Sequence, residues 1–177
     1  MAIIEAIATT YLEADASSVE FSSIPATYEH LQLRVNGRGT RATDTMYHYL
    51  QFGTGGGAVD TGANYAFHEM YAYSTTVGAV SGTGETGIKL HMMAAANLDA
   101  AVYGAQIIDI LDYANANKNT TTLTHEGVAS DPNMYFLSGL WDATGAVDRI
   151  KWSSPVGSFV RGSEFTLYGL KDNPTVN

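Results

Sequence analysis

Apolar and polar residues alternate along much of the chain with a period of two. In "EHLQLRVNG" Leu31, Leu33 and Val35 fall on one side, and Gln32 and Arg34 on the other. "GIKLHMM" sets Ile88, Leu90 and Met92 against Lys89, His91 and Met93, and "SEFTLYGLK" sets Phe165 and Leu167 against Glu164, Thr166 and Tyr168. Successive side chains of a strand point to opposite faces, so this pattern predicts strands with one face in a core. "MYHYLQF", "YAFHEMYAY", "NMYFLSGLW" and "VDRIKW" extend the set, with the aromatic and β-branched residues that strands favour.

Turn signals separate the runs: "NGRG" at 36–39, "GTGGG" at 53–57, "SGTGETG" at 81–87, "SDPN" at 130–133 and "SSPVG" at 153–157. Eight or more short strands at this spacing predict an all-β sandwich or barrel rather than alternating β/α units. A helix fits only briefly, over "AAANLDAAVYG" at 94–104, where no sustained 3.6-residue pattern supports it.

The stretch "QIIDILDYANANKNTTTLTHEG" contains two aspartates that invite a reading as a catalytic carboxylate pair. As a strand it places Ile107, Asp109, Leu111 and Tyr113 on one face and Gln106, Ile108, Ile110 and Asp112 on the other. Asp109 and Asp112 then project to opposite sides and do not act together on one substrate. "ANANKN" supplies turn chemistry and "TTTLTH" a returning strand, so the segment reads as a hairpin.

At 177 residues the chain suits one domain with a substantial core. Its 18 acidic and 9 basic residues give a net charge of −9, which repels a phosphate backbone, and no basic cluster offsets it, so nucleic acid is not an expected partner. No apolar run approaches the roughly 20 residues that span a bilayer, so no membrane partner is expected. "MAIIEAIATTYLEADA" lacks the basic start and cleavage pattern of a secretory leader, so synthesis in the cytoplasm without a secretory route is the expectation. With no cysteine, disulfides and thiolate metal sites are excluded.

A search for chemistry returns little. "GTGGGA" satisfies a dinucleotide-loop pattern, but "VDTGANYAFHEMYA" follows it, too polar and aromatic for the amphipathic helix such a loop requires. His30, His48, His68, His91 and His125 lack the close spacing of metal ligands. Asp60, Asn64 and His68 would converge only on a helix, and the local pattern is a strand. No catalytic, cofactor-binding or metal-binding residues are expected. A polysaccharide-degrading activity would need Asp142 paired with Glu164 or Asp148. The 11 tyrosines suit core filling, a subunit interface or a carbohydrate platform.

"FSSIPATYEHLQLRVNGRGTRA", "DTGANYAFHEM", "GAQIIDILDYANANKNTTT" and "SGLWDATGAVDRIKWSSPVGSFVRGSEFTLYGLK" together resemble a family of virion structural proteins of tailed bacteriophages, especially those of aquatic bacteria. The similarity runs in order from about Val19 to Lys171. It implies a jelly-roll-like antiparallel β-sandwich over 19–177, preceded at 1–18 by an arm or first strand that docks on the capsid or a neighbour. It also implies a non-enzymatic homotrimer without cofactors that binds the major capsid protein as a decoration, or cement, protein on the outer capsid surface. The alternative is a tail or head fibre module with a host glycan as ligand. No coiled-coil heptad or shaft repeat accompanies the match, which favours decoration. The residues expected to dock on the capsid are Ile3, Ile4, Tyr11 and Leu12; those expected at the trimer contact are Tyr71, Tyr73 and Trp152.

Overall fold

The period-two segments become strands, and the computed structural model describes residues 3–171. In chain order the strands are β1 (Ile3–Tyr11), β2 (Ser18–Phe21), β3 (His30–Gly37), β4 (Thr45–Thr54), β5 (Tyr65–Tyr73), β6 (Thr76–Glu85), β7 (Ile88–Ala94), β8 (Gly104–Leu111), β9 (Asn119–Val128), β10 (Asn133–Thr144), β11 (Val147–Ser153) and β12 (Glu164–Lys171). No helix forms among the described residues. The strands make two antiparallel sheets, one ordered β1-β12-β3-β8-β9-β10-β5-β6 and the other β2-β11-β4-β7.

Eight of the strands have the order of a jelly roll: β1-β12-β3-β8 in one layer and β2-β11-β4-β7 in the other. The two remaining hairpins are insertions. β5–β6 interrupts the connection from β4 to β7, β9–β10 interrupts that from β8 to β11, and both extend the larger sheet beyond β8. The segment 1–18 contributes β1, which closes one edge of the large sheet by pairing with β12 from Ile3↔Lys171 to Tyr11↔Glu164.

Between the layers, Leu31, Leu33, Ile108, Ile110, Phe165 and Leu167 of the large sheet meet Leu50, Phe52, Ile88, Leu90, Ile150 and Trp152 of the small one, all fully buried. Each such side chain contributes about 1.5–3 kcal/mol relative to exposure. A second aromatic group fixes the insertions to the jelly roll. Trp141 of β10 and Tyr65 of β5 stack with ring centres 6.2 Å apart, and Phe52 of β4 lies 5.8 Å from Trp141. The loop before β5 satisfies their polar tips: Trp141 Nε1 donates to Asp60 Oδ2 at 2.9 Å and the Tyr65 hydroxyl donates to the Asp60 carbonyl at 2.9 Å.

Local details depart from the sequence reading in four places. "NGRG" is not a turn: Asn36 and Gly37 end β3 as strand, and Arg38 and Gly39 go on to bridge Ala94 and Phe159. Residues 81–85 of "SGTGETG" continue β6 as strand, because the run pairs with β5 across a bulge at Gly84 (φ 68°) and Gly82 lets the Phe67 ring lie against its backbone. Residues 95–103 form turns held by Arg38, whose guanidinium donates to the carbonyls of Leu98, Asp99 and Val102 at 2.8, 2.8 and 2.9 Å. In the β8–β9 hairpin Asp112 has left-handed backbone (φ 51°), which breaks the alternation and turns Tyr113 into the core instead of onto the face of Leu111. In "GTGGG" Gly53 and Thr54 end β4 as strand, and the expected turn follows at Gly55 and Gly56, whose φ angles are 63° and 72°.

Candidate functional site

The inserted hairpins create two surfaces and one buried cluster that the jelly roll alone lacks. On the inner face of the extension the burial pattern inverts ordinary expectation. Thr120, Thr122, Thr124 and Glu126 of β9 are buried beneath the small sheet, while Leu123 between them is exposed. β10 is apolar on both faces, with Leu137 and Trp141 buried and Met134 and Phe136 exposed at 68% and 42%.

Where β7 of the small sheet crosses the extension, five polar side chains from five strands meet. They are His48 (β4), Glu69 (β5), His91 (β7), Gln106 (β8) and Glu126 (β9). Glu126 accepts from the His91 backbone N–H at 2.8 Å and from Gln106 Nε2 at 2.9 Å. The Gln106 amide also meets His48 Nε2 at 3.1–3.2 Å. Glu69 Oε1 lies 3.2 Å from His91 Nδ1. Burial dominates the titration of all four ionisable members: it pushes Glu69 and Glu126 up to about 7 and His48 and His91 down to about 4. Both shifts favour the neutral forms, so the Glu69–His91 contact is a close approach of two neutral side chains rather than an ion pair over the window between those values. Perturbed carboxyls of this kind are common in active sites, but Glu69, Gln106 and Glu126 are each at most 3% exposed. His48, Gln106 and Glu126 lie closed off between the sheets, whereas Glu69 and His91 reach the wall of an open cleft.

The outer face of the extension carries the other surface. Register places Ile107, His125, Phe136, Met70 and Ala79 side by side across β8, β9, β10, β5 and β6. The next row is Ala105, Gly127, Met134, Ala72 and Val77. Small residues floor a hollow of about 590 Å³, walled by Ile107, Phe136, Met134 and Val77. His125 packs its ring edge-on to Phe136 at 4.6 Å in the middle of the face. The border toward β3 is polar: Gln32 donates to Asp109 at 2.8 Å, and Arg34 covers the Tyr168 ring at 4.9 Å.

A polar cleft of about 610 Å³ opens on the inner side of the extension, lined by Arg41, Asp44, Tyr71, Tyr73, His91, Asp131 and Tyr135 among others. Tyr71 and Tyr135 stack there with centres 5.4 Å apart.

The residues singled out from sequence are not brought together. Ile3, Ile4 and Tyr11 are exposed on β1, the edge of the large sheet farthest in strand order from the inserted hairpins. Leu12 is buried, and its N–H donates to the Ser163 carbonyl at 2.9 Å. Tyr71 and Tyr73 line the cleft rather than the outer face. Trp152 is a correction: it is wholly buried between the sheets against Phe165, ring centres 5.9 Å apart, where no second subunit reaches it. The two aspartates of "DILD" make separate contacts, Asp109 with Gln32 and Asp112 with Lys118 and Asn115. Asp60 and Asn64 bond each other at 2.8 Å in the loop before β5, and His68 is exposed on the outer face. No group of three or more metal-ligating side chains forms among the described residues. The outer face was missed from sequence, although its signal was present in a strand whose threonines alternate with Leu123 and in a neighbour that is apolar at nearly every position.

No protein-family model matches the chain, and no curated protein matches it. Among solved structures it is similar to a functionally unknown protein from Saccharomyces cerevisiae, at 9% identity and TM-score 0.31, over 97% of this chain and 88% of that one. It is also similar to scytalido-glutamic peptidase in complex with a transition-state analogue inhibitor, at 8% identity and TM-score 0.27, over 89% and 66%. Likenesses this distant carry no argument about activity.

Proposed function

We propose that the chain is a non-enzymatic structural protein of a bacteriophage virion, a trimeric decoration protein that bridges and stabilises major capsid protein subunits on the outer surface of the shell. The observation that carries this reading is the exposed apolar face built by the two inserted hairpins on a jelly-roll sandwich. A contiguous apolar surface on a protein of this charge is an interaction surface. The sequence resemblance supplies the setting. Bridging stabilises a shell because opening it must then break contacts to two or three coat subunits at once, and closed rotational symmetry stops such contacts from propagating. The exposed Ile3, Ile4 and Tyr11 on β1 remain the proposed contact with the coat.

The aromatic cleft favours a second reading, a fibre module that holds a host glycan, because stacked tyrosines beside carboxylates suit a neutral, hydroxyl-rich ligand. Copy number in gradient-purified particles separates the two. Decoration predicts copies on the scale of the coat protein, a fibre module predicts a few per particle, and absence from the particle overturns both.

A further inference from the structure

We infer that the outer face of the inserted hairpins is where copies of this chain bind one another, and that Met134, Phe136, Met70 and Ile107 form the centre of that contact. The inference rests on the trimer reading above and assigns its surface, in place of the Tyr71, Tyr73 and Trp152 set.

Charge selects the occupant. Copies carrying −9 repel unless they meet where charge is absent. Four rows cross the five strands from β8 to β6 on this face. In them Asp109 is the single carboxylate, there is no lysine or arginine, and Gln32 already holds Asp109 at the border. A cationic partner would find nothing to pair with here, and a second copy finds nothing that repels it.

Size agrees. Five strands about 4.8 Å apart and four rows about 6.8 Å apart span roughly 650 Å², close to the roughly 800 Å² that each partner contributes to a stable interface. The relief also suits self-association. The long Met134 and Met70 side chains stand beside the hollow floored by Ala105 and Gly127, so knob and hole occur on the same face. A copy that inserts its knob into one neighbour and receives the knob of another makes a heterologous contact, the kind that closes into a ring.

The test is light scattering coupled to size exclusion on the full-length protein, at several concentrations, for wild type, Met134→Glu, Phe136→Glu and Val80→Glu. Val80 is exposed on the same inserted sheet but its side chain faces the cleft, so it controls for added charge alone. Circular dichroism establishes that each variant is folded. Wild type and Val80→Glu are expected at about three times the 18.9 kDa of one chain, and the two outer-face variants at one, with association weakened about 100-fold or more. A wild type that stays monomeric, or outer-face variants that stay associated, overturns the inference. Because the measurement is made on free protein, it stands apart from whether the protein is found on virions.

Discussion

Replacing Glu126 by glutamine tests the buried polar cluster directly. Glu126 is 3% exposed, and burial raises its folded-state pKa from 4.5 to about 7. A carboxyl with a raised pKa keeps its proton in the folded chain while the unfolded chain has lost it, so its stabilising contribution is full below pH 4.5 and disappears as pH rises toward 7. At about 1.4 kcal/mol per pKa unit the loss across that window is about 3 kcal/mol. The Glu126→Gln side chain carries no titrating proton and keeps the geometry. Its carbonyl accepts from the His91 N–H, and the Gln106 amide can turn so that its oxygen accepts from the new amide while its nitrogen faces His48. Urea unfolding of both proteins, at equal concentration and at half-unit steps from about pH 4.5 to about 7, should show the variant gaining about 3 kcal/mol on wild type over the range. The histidines act in the opposite sense. Their pKa values are lowered from 6.5 to about 4, so the stability they contribute is lost as pH falls through that interval. They and Glu69, whose carboxyl is raised over the same window and helps to raise Glu126, are present in both proteins, so the difference reports the carboxyl at position 126 in its native surroundings. A difference that stays flat to within about 1 kcal/mol would refute the claim that a buried, protonated carboxyl sits between the sheets.

Three further substitutions probe the packing. Trp152→Ala removes a fully buried ring from between the layers and should cost about 3–5 kcal/mol in chemical denaturation; a cost under about 1 kcal/mol would contradict its placement. Gly139→Ala sets a methyl 2.6 Å from both Ile88 Cδ1 and Thr122 Oγ1, where β7 packs over β10, and should cost about 1–3 kcal/mol by overpacking, read as a lowered Tm. Asp60→Ala strands the Trp141 indole N–H and frees the Gly62 and Asn64 contacts, for about 1–3 kcal/mol and a shift in tryptophan fluorescence; unchanged emission would place that indole elsewhere.

The jelly-roll strands were legible because each buries one face; β3 follows its alternation throughout, while β7 and β12 follow theirs in part and also bury Met93 and Thr166 from the set expected outside. The functional surface was harder to read because the inserted strands and the neighbouring β8 carry apolar residues on the outside. Ile107 and Leu111 stand exposed on β8 while Ile108 and Ile110 are buried, so a run apolar on both faces hides which face is core. On β9 the buried set is threonine and glutamate, groups that sequence patterning assigns to solvent. They are tolerated there because Glu126 has hydrogen-bond partners and the threonines are small enough for β7 to pack over them. The cluster of His48, Glu69, His91, Gln106 and Glu126 joins five strands distant in sequence, so no local spacing could announce it. Aromatic content suggested an interface, but Trp152 went to the core and Tyr71 and Tyr73 to the cleft, since large rings fill interiors as readily as they cover surfaces.

Immunogold labelling of intact phage particles, with an antibody raised to this chain, is the experiment that decides whether the protein belongs to the virion and where it sits. Gold spread evenly over the head is the result expected of a decoration protein, and gold confined to the tail or one vertex would transfer the case to the fibre reading. Particles that carry no label, from a lysate in which the protein is abundant, would contradict a structural role altogether.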